Sequence, residues 1–396
     1  MHISLDSALG RQRRLNSVGE SVLQIAPNAA AAYSLRSLTG GDPKVVRVRR
    51  VIDNAESDFT ASGVSSGALT SFVNDIQTVG TAVNGTGSFD NYTVSNLSNT
   101  GFSADNSAGG TGSAGFPYVF KDEDVLVIKY TVTNFSSTSS LSPAIRGVNN
   151  VNSVTGKTNA GTTFTANGTY TDTLTATADG THLMFADGNT GSYTISDFEI
   201  VSHSSSGFVE TWYDQSGNSK DAVQATAGSQ PKIVNAGSFL NELDFDGTAD
   251  ELAIDFGADL SQANSFFMVH QSDTTTANSN DFFDRVSGSP RTLFDQSGNN
   301  YRMFSDSSAD TGVAITTDKS LVFALYNGAS SLFAKNGTAT SALNAGTAGV
   351  NQNSSLGASN VSFYNGTIQE FIIYNSDQSS NRVAVETNIN NQYSIF

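Results

Sequence analysis

The chain has 396 residues, with Lys+Arg 20 against Asp+Glu 37, a formal charge of −17 and no cysteine. That length predicts two or three compact units, and the missing cysteine excludes a disulfide framework, a thiolate zinc site and a cysteine nucleophile. Only 14% of residues are charged while 38% are hydrophobic, a profile of short strands and many turns that excludes both a helical bundle and a disordered chain.

No apolar run reaches the ~20 residues of a membrane span, so no membrane insertion is expected. Residues 3–25 alternate polar and apolar too often for a signal-peptide core, which predicts synthesis in a cytoplasm without a signal peptide. An acidic surface repels phosphate, so nucleic acid is not an expected partner. The charge is uneven: Arg11, Arg13, Arg14, Arg36, Lys44, Arg47, Arg49 and Arg50 fall within the first fifty positions. Such a segment either docks onto something acidic or pairs with the protein's own carboxylates.

In chain order, Leu15, Val18, Val22 and Ile25 predict one stripe of a short helix stopped by Pro27, an attachment arm over residues 1–28. Such a stripe must be buried against the main body or against another chain. Ala29 to Leu38 predicts a second short helix closed by Gly40–Gly41. Lys44 to Val51 predicts a strand with a basic side, and Leu69, Phe72, Val73 and Ile76 predict an amphipathic helix.

From about residue 82 to 206 the texture changes to Gly/Ser/Thr/Asn-rich turns and strands, with no helix expected. The strands are Val125–Thr133, Thr169–Ala176, Thr181–Ala186 and Ser192–Ser202. In the last, Tyr193, Ile195, Phe198 and Ile200 face inward, and the change of parity between Ile195 and Phe198 predicts a bulge. Residues 83–206 are expected to form an inserted jelly-roll β-sandwich. Beyond it come strands at Ser265–Gln271, Tyr301–Phe304, Ser320–Tyr326 and Thr367–Tyr374. Asn327–Gly328, Asn336–Gly337 and Asn365–Gly366 are hairpin-turn pairs. A last helix is capped by Ser379 or Ser380 and carries Val385, Ile389 and Tyr393 on its apolar stripe. The string Tyr213-Asp214-Gln215-Ser216-Gly217-Asn218 returns as Phe294-Asp295-Gln296-Ser297-Gly298-Asn299, which suggests one Asp-capped turn used twice.

Several strings together resemble a known family. They are Ala31-Ala32-Tyr33-Ser34-Leu35-Arg36, Val46-Arg47-Val48-Arg49-Arg50, Thr211-Trp212-Tyr213-Asp214-Gln215-Ser216-Gly217-Asn218, Leu243-Asp244-Phe245-Asp246-Gly247, Phe363-Tyr364-Asn365-Gly366 and Glu370-Phe371-Ile372-Ile373-Tyr374. They resemble the catalytic domain of α-L-arabinofuranosidase B, a concanavalin A-like (laminin-G-like) β-sandwich that also occurs in tail-fibre and other virion proteins of bacteriophages. The resemblance covers residues 29–78 and 208–396. It implies a discontinuous sandwich, 29–82 and 207–396, carrying the nested unit 83–206. The inserted unit is similar in layout to carbohydrate-binding modules.

The resemblance also implies where catalysis would sit. A glycosidase needs two carboxyl groups, about 5–5.5 Å apart for retention or 6.5–9.5 Å for inversion. The family's nucleophilic Glu follows a Cys-Cys-Phe-Asp string, matched here by Phe282-Phe283-Asp284-Arg285 without cysteine or Glu. Its acid lies in a Gly-Gly-Asp-Asn string, matched by Leu356-Gly357-Ala358-Ser359-Asn360 without a carboxylate. Hydrolysis is therefore not expected unless Asp214, Asp246, Asp284 or Glu370 makes a new pair; Asp214 and Asp246 read as turn-capping carboxylates, Glu370 as a solvent-facing strand residue. His2, His182, His203 and His270 show no metal-ligand spacing.

Sugar binding needs aromatic faces flanked by amides and carboxylates. The candidates are Trp212, Tyr213, Asp214, Gln215 and Asn218, with Tyr92, Tyr118 and Tyr130 in the insertion; a lone tryptophan equally suits a core. Asp122-Glu123-Asp124 offers oxygen ligands for a structural calcium or a solvated acidic turn; no other metal or cofactor is expected. The expected role is a non-enzymatic virion surface protein (tail fibre, spike, or capsid or neck appendage) that adheres to host cell-surface glycans. Arg11, Arg13, Arg14, Leu15, Val18 and Val22 would attach it to other virion proteins, and a homo-oligomer, by analogy with fibres a trimer, is expected. The alternatives are a purely structural decoration protein and an arabinofuranosidase-type hydrolase.

Overall fold

The computed structural model describes residues 19–85, 93–105, 112–137, 144–149, 156–187, 191–276, 280–359 and 362–396. Arg11, Arg13, Arg14, Leu15, Val18, Tyr92, His2 and Asn360 lie outside them. The protein is mainly β, built from several antiparallel sheets with no closed barrel among the described residues.

The strand Asn365–Tyr374 organises the body. Its Phe371-Ile372-Ile373-Tyr374 run is apolar on both faces, as a strand covered on both sides requires. One edge pairs with Asn264–Ser272, which continues into Ser320–Tyr326 and Leu332–Lys335. The other edge is shared by Ala31–Ser34 and Ser238–Asp246. A second layer runs, in order of pairing, through Glu56–Thr60, Lys44–Arg50, Gly207–Trp212, Ala222–Val223, Leu252–Asp255, Asn353–Leu356, Asn280–Arg285, Leu293–Ser297 and Asn300–Phe304. Lys232–Asn235 links the layers by pairing with both Gly207–Trp212 and Ser238–Asp246.

The period-2 alternation of strands sorts side chains onto two faces. Phe266 and Phe371 enter the core between the layers, with Tyr33, Val46, Trp212 and Phe283. Their neighbours Phe267 and Ile372 face outward, where Val385 and Ile389 of the helix Arg382–Tyr393 and Val22 and Ala26 near the N-terminus cover them.

Between Val83 and Ser204 two further sheets share one core. The first is Gly168–Thr175, Val125–Ser137, Gly191–Ser204, Phe102–Asp105 and Thr93–Ser95; the second is Val83–Asn84, Gly112–Phe120, Gly180–Asp187 and Ala144–Val148. Tyr193, Ile195, Phe198 and Ile200 all enter that core. The predicted bulge is present: the register slips between Ser196 and Glu199, with Asp197 at φ 52. No helix occurs there among the described residues.

Several expectations need correction. Ala29–Leu38 is not helical; Ala31–Ser34 is a strand with every residue buried, because pairing to Glu370–Ile373 outweighs alanine's helix propensity. The 69–76 helix is shorter than expected: Ala61–Ser65 and Ala68–Val73 are two helices parted by Gly67 at φ 83, and Ile76 is exposed. Asn336–Gly337 is a two-residue hairpin turn with both φ positive, as that turn demands. Asn365–Gly366 is no turn but the start of a central strand. A Cβ at Gly366 would lie 2.3 Å from the Gln271 carbonyl, so the glycine serves close strand approach. The last helix is preceded by Asn381 rather than capped by Ser379 or Ser380. The echoed string adopts two structures: a loop at 213–218, and a strand hairpin at 294–299 in which Asp295 pairs across to Arg302.

Candidate functional site

The 212–218 segment leaves the strand Gly207–Trp212 and turns back over Ala29–Leu38. Trp212 is fully buried against Tyr33, ring centroids 5.7 Å apart, so it presents no face to a sugar. Asp214 is a turn cap: Oδ1 accepts from the Ala32 and Ser216 amides at 2.9 and 2.8 Å, and Oδ2 from the Lys220 amide at 3.0 Å. Gln215, 6% exposed, accepts from the Leu38 amide and donates to the carbonyls of Ser34 and Arg36. Asn218 donates to the carbonyls of Ala29 and Ala30. Tyr213 donates to Asp58 at 2.7 Å, with the Lys44 ammonium over its ring; burial and that carboxylate raise its pKa. Four of the five candidates therefore hold the chain's own backbone or core in place, and only Tyr213 keeps a partly open ring.

The positions matched to the family's two catalytic strings do come together. Phe283 pairs with Leu356, Asp284 with Ser355, and the Gly357 amide donates to the Phe282 carbonyl. A register shift between Asp281 and Phe283 lets both Phe282 and Phe283 enter the core, so the flanking Asp281 and Asp284 turn away from it. Asp281 stands opposite Asp295, and Asp295 opposite Arg302. The result is a face with three buried carboxyl groups and the half-exposed Arg291 and Arg302.

Two of these carboxyls are clamped. Arg291 Nη2 lies 2.6 Å from Asp284 Oδ2 and its Nε 3.0 Å from Oδ1, with the Arg285 amide also donating to Asp284. Arg302 grips Asp295 in the same two-pronged manner, its Nε 2.8 Å from Oδ1. Desolvation raises Asp295 while Arg302 opposes it. Asp281 is in no ion pair among the described residues and feels Arg291 only at a distance: Ser359 bonds to it, Oδ1 is buried without a hydrogen-bond partner, and burial pushes its pKa up to about 6. The face thus offers one group able to donate or take a proton near neutrality and two carboxylates already committed to guanidinium groups. Asp281, Asp295, Arg291 and Arg302 were not among the sequence candidates; the Asp-Phe-Phe-Asp run at 281–284 was the available signal.

Tyr118 and Tyr130 are buried, the first touching His203 and the second donating to Asp172, so neither offers a sugar platform. Val22 is buried within the body's own outer core layer rather than free for another chain. Asp124 is buried with its Oδ2 2.8 Å from His203 Nε2, and among the described residues no three His, Asp or Glu side chains converge on a metal position. Asp246 caps a turn by accepting from the amides of Thr248 and Ala249. Glu370 does not face solvent; it is fully buried and ion-paired to Arg36 at 2.8 Å. His270 is enclosed between Tyr364 and Tyr301, and burial lowers its pKa to about 3, so it is neutral. No helix among the described residues is long and apolar enough to cross a membrane.

No protein-family model and no curated protein matches the chain. Among solved structures it is similar to Trypanosoma rangeli sialidase in complex with sialic acid, at 11% identity and a TM-score of 0.35 over 46% of this chain and 31% of that one. Trypanosoma rangeli sialidase alone gives 13% and 0.34 over the same shares. The chain therefore spans under a third of the length of the sialidase it matches. A likeness at that level assigns no site residue.

Proposed function

We propose that this chain is a non-enzymatic protein displayed on the outside of a bacteriophage particle, as a tail fibre, spike, or capsid or neck appendage, and that it adheres to host-surface glycans. In this reading the two layers of the body are a concanavalin A-like (laminin-G-like) sandwich, and the two sheets between residues 83 and 206 are a nested jelly roll. The basic segment holding Arg11, Arg13 and Arg14 joins it to other virion proteins, and copies associate, as a trimer in a fibre. The supporting observation for the non-enzymatic part is the two-pronged clamp of Arg291 on Asp284. At the strand matched to the family's nucleophile the carboxylate is occupied, and the facing 355–359 segment carries none. A carboxylate held by a guanidinium is a weakened nucleophile, and hydrolysis needs two free carboxyl groups.

The test is a glycan array probed with the full chain, paired with assay of reducing sugar released from arabinan and from bacterial envelope polysaccharide. Saturable binding without release is expected; sustained turnover overturns the reading. One observation favours the hydrolase alternative. Asp281 has a free buried oxygen and a pKa suited to a general acid. If turnover is found, Asp281→Asn should abolish it.

A further inference from the structure

A cleft of about 490 Å³ that shares no lining residue with the 212–218 and 281–302 segments is lined by residues that include Arg49, Phe208, Gln230, Lys232, Asp244 and Asp250. Its floor is a single cross-strand row. Arg49 pairs with Phe208, Phe208 with Lys232, and Lys232 with Asp244, so cation, aromatic ring, cation and anion stand side by side on one face. The Arg49 guanidinium lies 5.2 Å and the Lys232 ammonium 5.9 Å from the Phe208 ring centre. Lys232 also reaches Glu123 of the inserted sheets at 3.5 Å, which puts one rim at the junction of body and insertion, where ligand clefts concentrate.

Among the described residues two ionisable groups of this cleft make no ion pair, although Glu56 acts on Arg49 and Lys232 on Asp250 at longer range. Arg49, 7% exposed, donates to Gln230 Oε1 at 2.7 Å, Asn54 Oδ1 at 3.0 Å and the Ala227 carbonyl at 3.1 Å, all neutral acceptors. Asp250, also 7% exposed, accepts from the Asp246 amide at 3.0 Å and pairs with no cation among the described residues. A buried cation and a buried carboxyl in the same cleft ordinarily join, because each alone is expensive to desolvate. Here both line the cleft and no ion pair joins them. Desolvation lowers the Arg49 pKa and raises that of Asp250 to about 7, each against its ionised form.

We infer that this cleft is the saccharide site, taking a neutral sugar unit whose hydroxyls bridge the cationic row and the Asp244 and Asp250 carboxyls. A hydroxyl both donates and accepts, so one ring satisfies both walls, and Phe208 supplies apolar ground for its C–H surface. An anionic ligand would meet Asp244, Asp246 and Asp250, and a purely cationic one Arg49 and Lys232. The inference rests on the adhesion reading and locates it.

The test is titration of the full chain with methyl glycosides of glucose, galactose, mannose and N-acetylglucosamine, and with short oligosaccharides cut from bacterial envelope polysaccharide, followed by saturation-transfer NMR and calorimetry. At least one neutral probe should bind saturably. Asp250→Asn and Lys232→Met should each weaken it about tenfold or more, while Glu199→Gln, at an exposed acidic position on the insertion, should not. Trp212 emission checks that each variant is folded. Binding unchanged in both cleft variants overturns the site and leaves adhesion standing. No binding of any probe by the unmodified chain overturns the site, and a blank glycan array overturns adhesion with it. Binding of free alanine in place of every sugar overturns the saccharide assignment.

Discussion

The buried pair Arg36–Glu370 makes a sharp test of how this fold tolerates charge. Glu370 stands in the central strand with its side chain 1% exposed. Arg36 Nε and Nη2 lie 2.8 and 2.9 Å from its two oxygens, and Ser34 and Tyr393 donate to Oε2 at 3.0 and 3.1 Å. Arg36→Met keeps the aliphatic stem and removes the cation. It leaves a desolvated carboxylate with hydroxyl partners only, and the expected loss is about 3–5 kcal/mol. Glu370→Gln should cost less, because Arg36 is 18% exposed and part of its guanidinium reaches water. In the double variant a neutral amide replaces the stranded carboxylate, so its cost should fall below the sum of the singles by about 2 kcal/mol.

The assay is urea unfolding followed by Trp212 emission, a reporter confined to the body because the chain has one tryptophan and it is fully buried beside Tyr33. A loss under about 1 kcal/mol for Arg36→Met, or strict additivity in the double variant, would refute the claim that this pair is electrostatically coupled in a dry site.

Asp250→Asn tests the uncompensated charge. Burial raises the folded-state pKa to about 7, against an ordinary carboxyl value of 3.8. Between those values the folded protein keeps a proton that the unfolded chain has released, so stability falls as pH rises through the window. The variant should gain on the order of 2 kcal/mol at pH 8 after screening by solvent, and nothing at pH 3, as read by urea midpoints across that range. Gly115→Ala would put a methyl 2.0 Å from the Leu183 carbonyl oxygen; a cost of about 3 kcal/mol is expected, with hydrogen exchange accelerated in the 83–204 sheets while the Trp212 transition stays in place. A chain lacking residues 1–18 serves as the reference for a longer truncation. Deleting 1–27 removes Val22 and Ala26 from the outer core and the Ala26 carbonyl that Tyr374 donates to at 2.8 Å, and should cost about 2–4 kcal/mol; equal midpoints for the two truncations would contradict that packing.

What was legible in the sequence was whatever has a local period. The 191–204 strand gave its inward residues and its bulge from parity alone, Asn336–Gly337 its turn from positive φ, and Val385 and Ile389 their helical stripe from spacing. What was illegible depends on partners far along the chain. Ala31–Ser34 looks helical until the 370–373 strand lies beside it, and Glu370 looks solvated until Arg36, 334 positions away, covers it. Three of the sugar candidates are turned to structural contacts for the same reason. Trp212, Asp214 and Gln215 have the residue types of a binding loop, but their hydrogen bonds and contacts go to the 31–38 segment and, for Asp214, also to its own turn. Residue type names a chemistry, and only the register decides whether that chemistry faces outward or closes the fold.

The buried charges of the body fall into two kinds, and the division bears on function. Arg36–Glu370, Arg291–Asp284 and Arg302–Asp295 are joined by two-pronged contacts. Folding accounts for them, since each partner compensates the desolvation of the other. Arg49 and Asp250 in the cleft, and the unbonded oxygen of Asp281 on the 281–302 face, have no such account. Each lowers stability while nothing is bound, and each stops doing so if a polar ligand completes its hydrogen bonds. A ligand that fits should therefore raise the unfolding midpoint at pH 8 more than at pH 5, because at the lower pH Asp250 is already neutral and less of the penalty remains to be relieved. Stabilisation that is equal at both pH values would place the ligand away from Asp250.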